Sequence, residues 1–444
     1  MMLLEFRVKN FKSFLDEMTF KMTPAPKQKD LEYSILKQKL GKKIYKGLCS
    51  AVIYGPNASG KTNIIAAMDV MKSIVMKGNI KNTDDAHSPN ISACKLELIP
   101  NNTLDVSKPT TFYIRFIEDD LLIEYEMSLD LGVFLDGNYD RKIIKEKLSV
   151  NEKIIFIRTN DIEFFDMKVI KDYLIDEFEN NENSAKILAK NNLNPTELFL
   201  TNGFKAMFSS QLVNNIISWF ENKFLVIYRA DVIKLNKIVP DSKTKTVYIE
   251  YTTNEAAKKF GINSNALGYI VPEGENKQRL CSIFKDQHTA IPAELFESYG
   301  TVRFINMFPL ILQSLKKGAI LVLDEFDANI HPMALTNIIN IFHDDDINKN
   351  NAQLIFNTHN PIFLNSNLFR RDEIKFVERD EKTHLSTHYA LSDFKTSGNK
   401  GVRKVEDYMK HYFLGRYGAI KEIDFYDLFD KVINDKTREE FNDE

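Results

Sequence analysis

Cysteine is scarce in this chain. The three present, Cys49, Cys94 and Cys281, are odd in number and far apart, so neither a disulfide framework nor a cysteine-rich zinc site is expected. A reducing cytoplasm is the compartment that fits. No run of about 18 apolar residues occurs, so no membrane-spanning helix and no membrane partner are expected. The opening MMLLEFRVKNFKSF is interrupted by charge at once and does not read as a signal peptide. An excess of one charge is also missing. The formal net charge is −3, so no global field draws the chain onto nucleic acid, and only a local basic patch could do so. Tryptophan occurs once, at Trp219, and no internal repeat or heptad array is visible.

What is present is ordinary globular material: 444 residues, 43% hydrophobic and 27% charged, enough to bury a large core. LLEFRVK near the start reads as a strand, with MTFKM (18–22) as its hairpin partner. The stretch 27–46 sets seven lysines against Asp30 and Glu32; it reads as a solvated hairpin connection, with a partner or nucleic-acid contact as the alternative. CSAVIY (49–54) is a short buried strand, followed by a glycine-rich loop and the dense apolar helix IIAAMDVMKSIV. From about 88 to 160, CKLELI, TFYIRFI, LLIEYEMSLD and KIIFIR alternate as antiparallel strands do. From about 161 to 290 polar and helical patterns dominate, and Trp219 is expected in a core or interface there.

After 290 an α/β rhythm returns. FINMFPLILQSL is a helix and GAILVLDE a buried strand ending in acids. HPMALTNIINIFH is a helix with Pro332 in its first turn, QLIFNTHN a further strand, and EIKFVER with HLSTHYAL a strand pair. The expected class is α/β, a mixed and parallel sheet flanked by helices. Residues 1–84 and 291–444 form two halves of one core, and 85–290 is an inserted β-and-helical subdomain for partner or dimer contacts.

Four motifs carry chemistry. GPNASGKT fits GxxxxGK[ST]: Gly55 and Gly60 free the backbone N–H groups of Pro56-Asn57-Ala58-Ser59 and their neighbours to turn toward a phosphate (proline contributing none). Lys61 would bridge the outer phosphates, Thr62 would offer its hydroxyl to Mg²⁺, and the helix opening at Thr62-Asn63 aims its positive end at the same anion. ILVLDE places Asp324 and Glu325 at the carboxyl end of a strand, where open α/β sheets bind ligands. Alone they could cap a surface strand; beside a phosphate loop Asp324 reads as the Mg²⁺ ligand and Glu325 as the residue that polarises water. His359 in FNTHN lies 35 residues beyond Asp324, at the next strand end, suited to sensing the γ-phosphate. ESYGT sets Ser298, Gly300 and Thr301 at a helix start, a second anion site. Two anion sites in one chain make sense if the second closes on a nucleotide held by another copy.

GPNASGKT, ESYGT, LVLDE and THN, in this order and spacing, resemble the ABC-type ATPase heads of SMC, SbcC and RecF proteins. More closely, the chain resembles AAA-like ATP-binding proteins of that branch, including the ATPase parts of OLD-type nucleases and of anti-phage systems such as PARIS, Septu and RloA-like abortive-infection proteins. The resemblance makes Gly55–Thr62 the Walker A loop, Asp324 and Glu325 the Walker B pair, Ser298–Thr301 the signature, Asp327–His331 the D-loop and His359 the switch histidine. Two departures stand out: Tyr299 replaces a signature glycine, and the D-loop ends in His331-Pro332, as in RecF-like proteins. No Q-loop glutamine is assigned.

The resemblance implies an ATPase that pairs with itself as a dimer or higher even-numbered assembly. It implies an antiviral-defence role controlling a separate nuclease or toxin. A RecF-like DNA-repair clamp, and a scaffold that binds ATP with scarcely any hydrolysis, are the alternatives. The run Asp344-Asp345-Asp346 reads as a polar loop, and His384 and His388 as structural residues on one strand face rather than a metal site.

Overall fold

The computed structural model describes residues 1–26, 28, 31–81, 97–136, 139–176, 178–228, 246–248, 251–270, 279–284, 290–395, 402–403, 406–421 and 424–434. Cys94 and the start of CKLELI fall outside these residues, as do Lys27, Lys29 and Asp30 of the lysine-rich stretch.

β1 (Met2–Lys9) and β2 (Met18–Lys21) pair antiparallel with Phe6 opposite Phe20. The lysine-rich stretch folds into a hairpin of its own, β3 (Ile35–Leu40) and β4 (Lys43–Leu48), with Lys37, Lys39, Lys42, Lys43 and Lys46 exposed. β5 (Ser50–Tyr54) is buried throughout, as an interior parallel strand must be. β6 (Thr110–Glu118), β7 (Leu121–Asp130), β8 (Lys142–Val150), β9 (Lys153–Arg158) and β10 (Ile162–Phe164) follow as an antiparallel meander. β1 hydrogen-bonds β6, so the seven-stranded sheet β10-β9-β8-β7-β6-β1-β2 draws strands from both 1–84 and 85–290.

Residues 161–290 are less uniformly helical than their polar patterns suggest. The helices Phe178–Asn191, Ser210–Asn222 and Tyr251–Phe260 are interleaved with strands. These are β11 (Phe224–Ile227), β12 (Thr246–Tyr248), β13 (Ala266–Ile270), β14 (Arg279–Ile283) and β15 (Ala290–Pro292), the last four forming a small antiparallel sheet. Short strands of three to five residues carry too few alternations to announce themselves. Trp219 is fully buried, stacked on Phe116 at 3.7 Å and Phe224 at 5.1 Å between ring centres.

β16 (Ile320–Leu323), β17 (Gln353–Asn357), β18 (Ile374–Arg379) and β19 (Ser386–Ala390) complete a six-stranded sheet in the order β11-β16-β17-β5-β18-β19. The first five strands are parallel, and β19 closes the edge antiparallel to β18. The fold is thus α/β, a mixed sheet flanked by helices. Side chains alternate across it. Ala51, Ile53, Ile320, Val322 and Ile355 face one core, shared with the helix Lys61–Lys77, Trp219 and the antiparallel sheet. Val52, Tyr54, Leu321, Leu323, Leu354 and Phe356 face a second core under the helices Tyr299–Lys317 and Pro332–His343. Each fully buried leucine or phenylalanine in these layers contributes about 1.5–3 kcal/mol. Five parallel strands therefore end at one edge, and that edge positions the site.

The two histidines of HLSTHY do not share a strand face. His384 precedes β19 in a turn with φ +58°, while His388 lies within β19 and touches Phe20. The Thr383-His384 turn is held by Asp380, which accepts from the Lys382 and Thr383 backbone N–H groups. Asp344 likewise accepts from Asp346 and Ile347 N–H, a closed turn after a helix. No group of His, Cys, Asp and Glu able to hold a metal occurs among the described residues.

Candidate functional site

The loop from Gly55 to Gly60 joins the end of β5 to the helix Lys61–Lys77. Gly60 has φ +110° and Ala58 φ +60°, left-handed values that bend the chain back under itself. A Cβ on Gly60 would lie 2.7 Å from Ser386 Oγ and 2.8 Å from Ser13 Oγ; one on Gly55 would lie 2.3 Å from the Val377 carbonyl oxygen. Neither position has room for a side chain. Asn57 and Ala58 stand exposed at the tip, Pro56 is half-buried, and Ser59 and Gly60 are buried. The loop is tied from behind: Asn63 Nδ2 donates to Ser13 Oγ (2.8 Å), and Ser386 Oγ donates to the Ser59 carbonyl (2.5 Å).

Lys61 is buried, and its ammonium donates to the carbonyls of Gly55 (2.8 Å) and Pro56 (2.9 Å). Burial pushes the ammonium down to about 8, against the pull of Asp324, Glu325 and Asp327. Held among the described residues by backbone carbonyls, this cation suits a polyanion that would occupy the loop. Thr62 Oγ1 donates to Asp324 Oδ1 at 3.1 Å. β16 delivers Asp324 buried and Glu325 exposed, and the Glu325 backbone is left-handed at φ +49°.

The side chain that joins the two acids is Asn357, at the end of the neighbouring strand β17. Its Nδ2 donates to Asp324 Oδ1 (2.6 Å) and its Oδ1 accepts from the Glu325 N–H (2.5 Å). Two residues on, His359 is exposed. Partial burial first, then the nearby Lys61 charge, hold its imidazole below the ordinary value, while Asp327, Glu325 and Asp324 oppose. Its loop is pinned on both sides: Thr358 N–H donates to the Ile53 carbonyl, and Tyr54 Oη donates to the Asn360 carbonyl at 3.2 Å.

Ser298 sits elsewhere. It caps the helix Tyr299–Lys317, accepting from Thr301 N–H at 3.1 Å, with Thr301 Oγ1 2.8 Å from its own Oγ. Ser298 and Tyr299 are exposed, and Gly300 and Thr301 buried. A Cβ on Gly300 would stand 2.0 Å from the Asn329 carbonyl, so the helix start rests against the 327–331 loop. Asn329 is left-handed at φ +62°, and His331 Nδ1 accepts from Met333 N–H at 3.2 Å, capping the next helix. One turn further along the Ser298-capped helix, Arg303 Nη2 donates to the Glu325 carbonyl. Lys61, Thr62, Asp324, Glu325 and His359 thus gather at one edge, while the hydrogen bonds of Ser298 stay within its own helix turn.

Several residues that build this site went unread in the sequence. Asn357 lies inside the FNTHN motif but reads as one more strand residue. Arg303, Ser13 and Ser386 carry no motif at all. Glu297, the acid of ESYGT, is buried and accepts from Asn263 N–H (2.9 Å), Ser264 Oγ (2.7 Å) and Ser282 Oγ (3.0 Å), anchoring the helix start to the small sheet.

The donor set fits a nucleoside triphosphate with Mg²⁺: a glycine cradle no Cβ could enter, an ammonium held by two backbone carbonyls, and a Thr–Asp pair of hard oxygens. No described helix is long and apolar enough to cross a membrane. No curated protein matches the chain. Solved structures that match include an SMC head domain from Thermotoga maritima, at 13% identity and a TM-score of 0.35, covering 88% of this chain and 99% of that one. Residues 50–365 match the family model described as "AAA domain, putative AbiEii toxin, Type IV TA system", and the chain belongs to that family of AAA-type ATPase domains.

Proposed function

We propose that the protein binds and hydrolyses ATP, and that hydrolysis times the closing and opening of two copies around sandwiched nucleotides. The observation that carries this reading is the convergence of Lys61, Thr62, Asp324 and Glu325 at one sheet edge, with Ser298 exposed on a different helix. Thr62 and Asp324 would hold Mg²⁺, which would supply charge neutralisation between phosphate oxygens. Lys61 leaves its two carbonyls for the outer phosphates. Glu325, exposed beside Lys61, orients and polarises water, and His359 steadies it. Ser298 of the second copy, with its helix N-terminus, lids the γ-phosphate. Catalysis of this kind is mostly positioning and electrostatics, so a slow turnover suits a switch.

The family description names a toxin of a type IV toxin–antitoxin system, which supports a place in bacterial defence. On this reading the protein is a cytoplasmic sensor or scaffold of an abortive-infection system, holding or releasing a separate nuclease or toxin. A RecF-like clamp on DNA is the second reading. The lysine-rich β3–β4 hairpin, exposed along one arm, favours it. A gel shift with and without ATP separates the two.

The test uses Ser298→Arg and Glu325→Gln in analytical ultracentrifugation with ATP and with a non-hydrolysable analogue. The parent should double in mass with the analogue, and Glu325→Gln should do so with ATP itself while turning over about 100-fold more slowly. Ser298→Arg should bind nucleotide as a monomer. An assembly in which Ser298 lies far from every phosphate removes the proposal.

A further inference from the structure

The Glu325 residue sits at φ +49°, a left-handed conformation strained for any residue with a Cβ, so something must hold it there. Asn357 does so from the strand next door. β16 and β17 run parallel with Leu323 beside Phe356, which brings Asn357 alongside Asp324. Asn357 is 1% exposed, and both ends of its amide are used. The amide has one orientation open to it. Glu325 N–H can only donate, so it takes Oδ1; the Asp324 carboxylate accepts, so it takes Nδ2.

Asn357 therefore joins the Asp324 carboxylate to the Glu325 backbone with one rigid group. Thr62 Oγ1 and Asn357 Nδ2 both point at Asp324 Oδ1, which leaves Oδ2 as the oxygen turned to other partners. The bond to Glu325 N–H fixes the left-handed turn that swings the Glu325 side chain outward, while its carbonyl is held by Arg303. A hydroxyl at this position could satisfy one of these two groups but is too short to bridge both, and an apolar residue could satisfy neither.

We propose that Asn357 is a positioning residue for hydrolysis: it sets the rotamer of Asp324 and the backbone of Glu325 together. This deepens the ATPase reading and rests on it. The test compares the parent with Asn357→Leu, which keeps the branched shape and loses both bonds. A second variant, Asn357→Asp, keeps the acceptor for Glu325 but sets a carboxylate against Asp324. Three quantities are measured: kcat and KM for ATP, the affinity for a fluorescent ADP with Mg²⁺ and with EDTA, and the melting temperature.

Both variants should lose about 10- to 100-fold in kcat with KM changed by about twofold or less. ADP affinity in EDTA should match the parent, and the tightening that Mg²⁺ gives should shrink. If Asn357→Leu does not fold, Asn357→Ser, which keeps one of the two bonds, should give an intermediate kcat. A folded Asn357→Leu with parental kcat and parental Mg²⁺ dependence overturns the proposal. If the parent itself lacks turnover, the ATPase reading falls, and the Mg²⁺ dependence of ADP binding still decides whether Asn357 orders the acids.

Discussion

The two ends of the parallel sheet carry similar chemistry and put it to opposite use. At the carboxyl end, Lys61, Asp324, Glu325 and His359 surround the Gly55–Gly60 loop, with Glu325 and His359 exposed. At the amino end, Ser50 of β5 meets His343 and Glu373. Ser50 Oγ is 2.8 Å from His343 Nε2 and donates to Glu373 Oε1 at 2.8 Å, and Glu373 also accepts from Arg370 N–H at 2.8 Å. Serine, histidine and a carboxylate in contact look like catalytic machinery. Yet all three are at most 4% exposed, so no substrate can reach them. Next to them Arg370 and Asp372 form a second buried pair. The lesson is that residue types alone do not mark a site. What separates the ends is whether the groups are sealed in the interior or, like Glu325 and His359, left open to solvent.

Three changes sharpen that contrast. The largest effect is expected from Glu373→Ala. It leaves the Ser50 hydroxyl and the Arg370 N–H without their acceptor in a dry interior, and should cost about 3–5 kcal/mol in a denaturant melt. Turnover per folded molecule should hold within about twofold; a selective loss of turnover would merge the two ends and break the comparison. Lys61→Ala is the mirror image. It removes a cation that burial disfavours, so melting should stay level or rise, while ATP affinity measured by calorimetry falls about 100-fold.

The smallest effect concerns His388, where β19 meets β2. Burial first, then the Lys375 ammonium, hold its imidazole down to about 3, with the Thr19 backbone pulling upward. The unfolded chain takes up that proton near pH 6.5, the folded chain near 3. The stability is therefore whole above pH 6.5 and drains away as the pH falls toward 3. Relative to a His388→Gln variant, the parent should lose on the order of 2 kcal/mol by pH 4, allowing for partial solvent access. Parallel pH curves for the two would show that His388 is solvated.

How much of this was legible beforehand follows the range of each signal. GPNASGKT, with a strand before and a helix after, is local, and the structure places it as read, on the end of β5. The strands before Asp324 and Asn357 were equally readable, because three or four apolar residues followed by polar ones are a local pattern, although the second was read on to Asn360 and ends at Asn357. The β10–β15 strands were hidden by their shortness, three to five residues each, among polar and helical stretches. His384 was assigned to a strand face because HLSTHYAL alternates; its φ of +58° is a turn property set by Asp380, four residues away.

Sequence by itself determined the alternating layers, the phosphate loop and the acids at a strand end, since each depends on neighbours a few residues apart. Only the tertiary structure decided that Asn357 joins Asp324 to Glu325, that Arg303 holds the Glu325 carbonyl, and that Glu297 is an anchor while Ser298 stays exposed. Those contacts span 15 to 34 residues of chain: parallel register sets Asn357 beside Asp324, and the start of the helix Tyr299–Lys317 carries Arg303 and Glu297 to their partners. A one-residue slip of β17 against β16 would turn Asn357 to the other face and break both of its bonds.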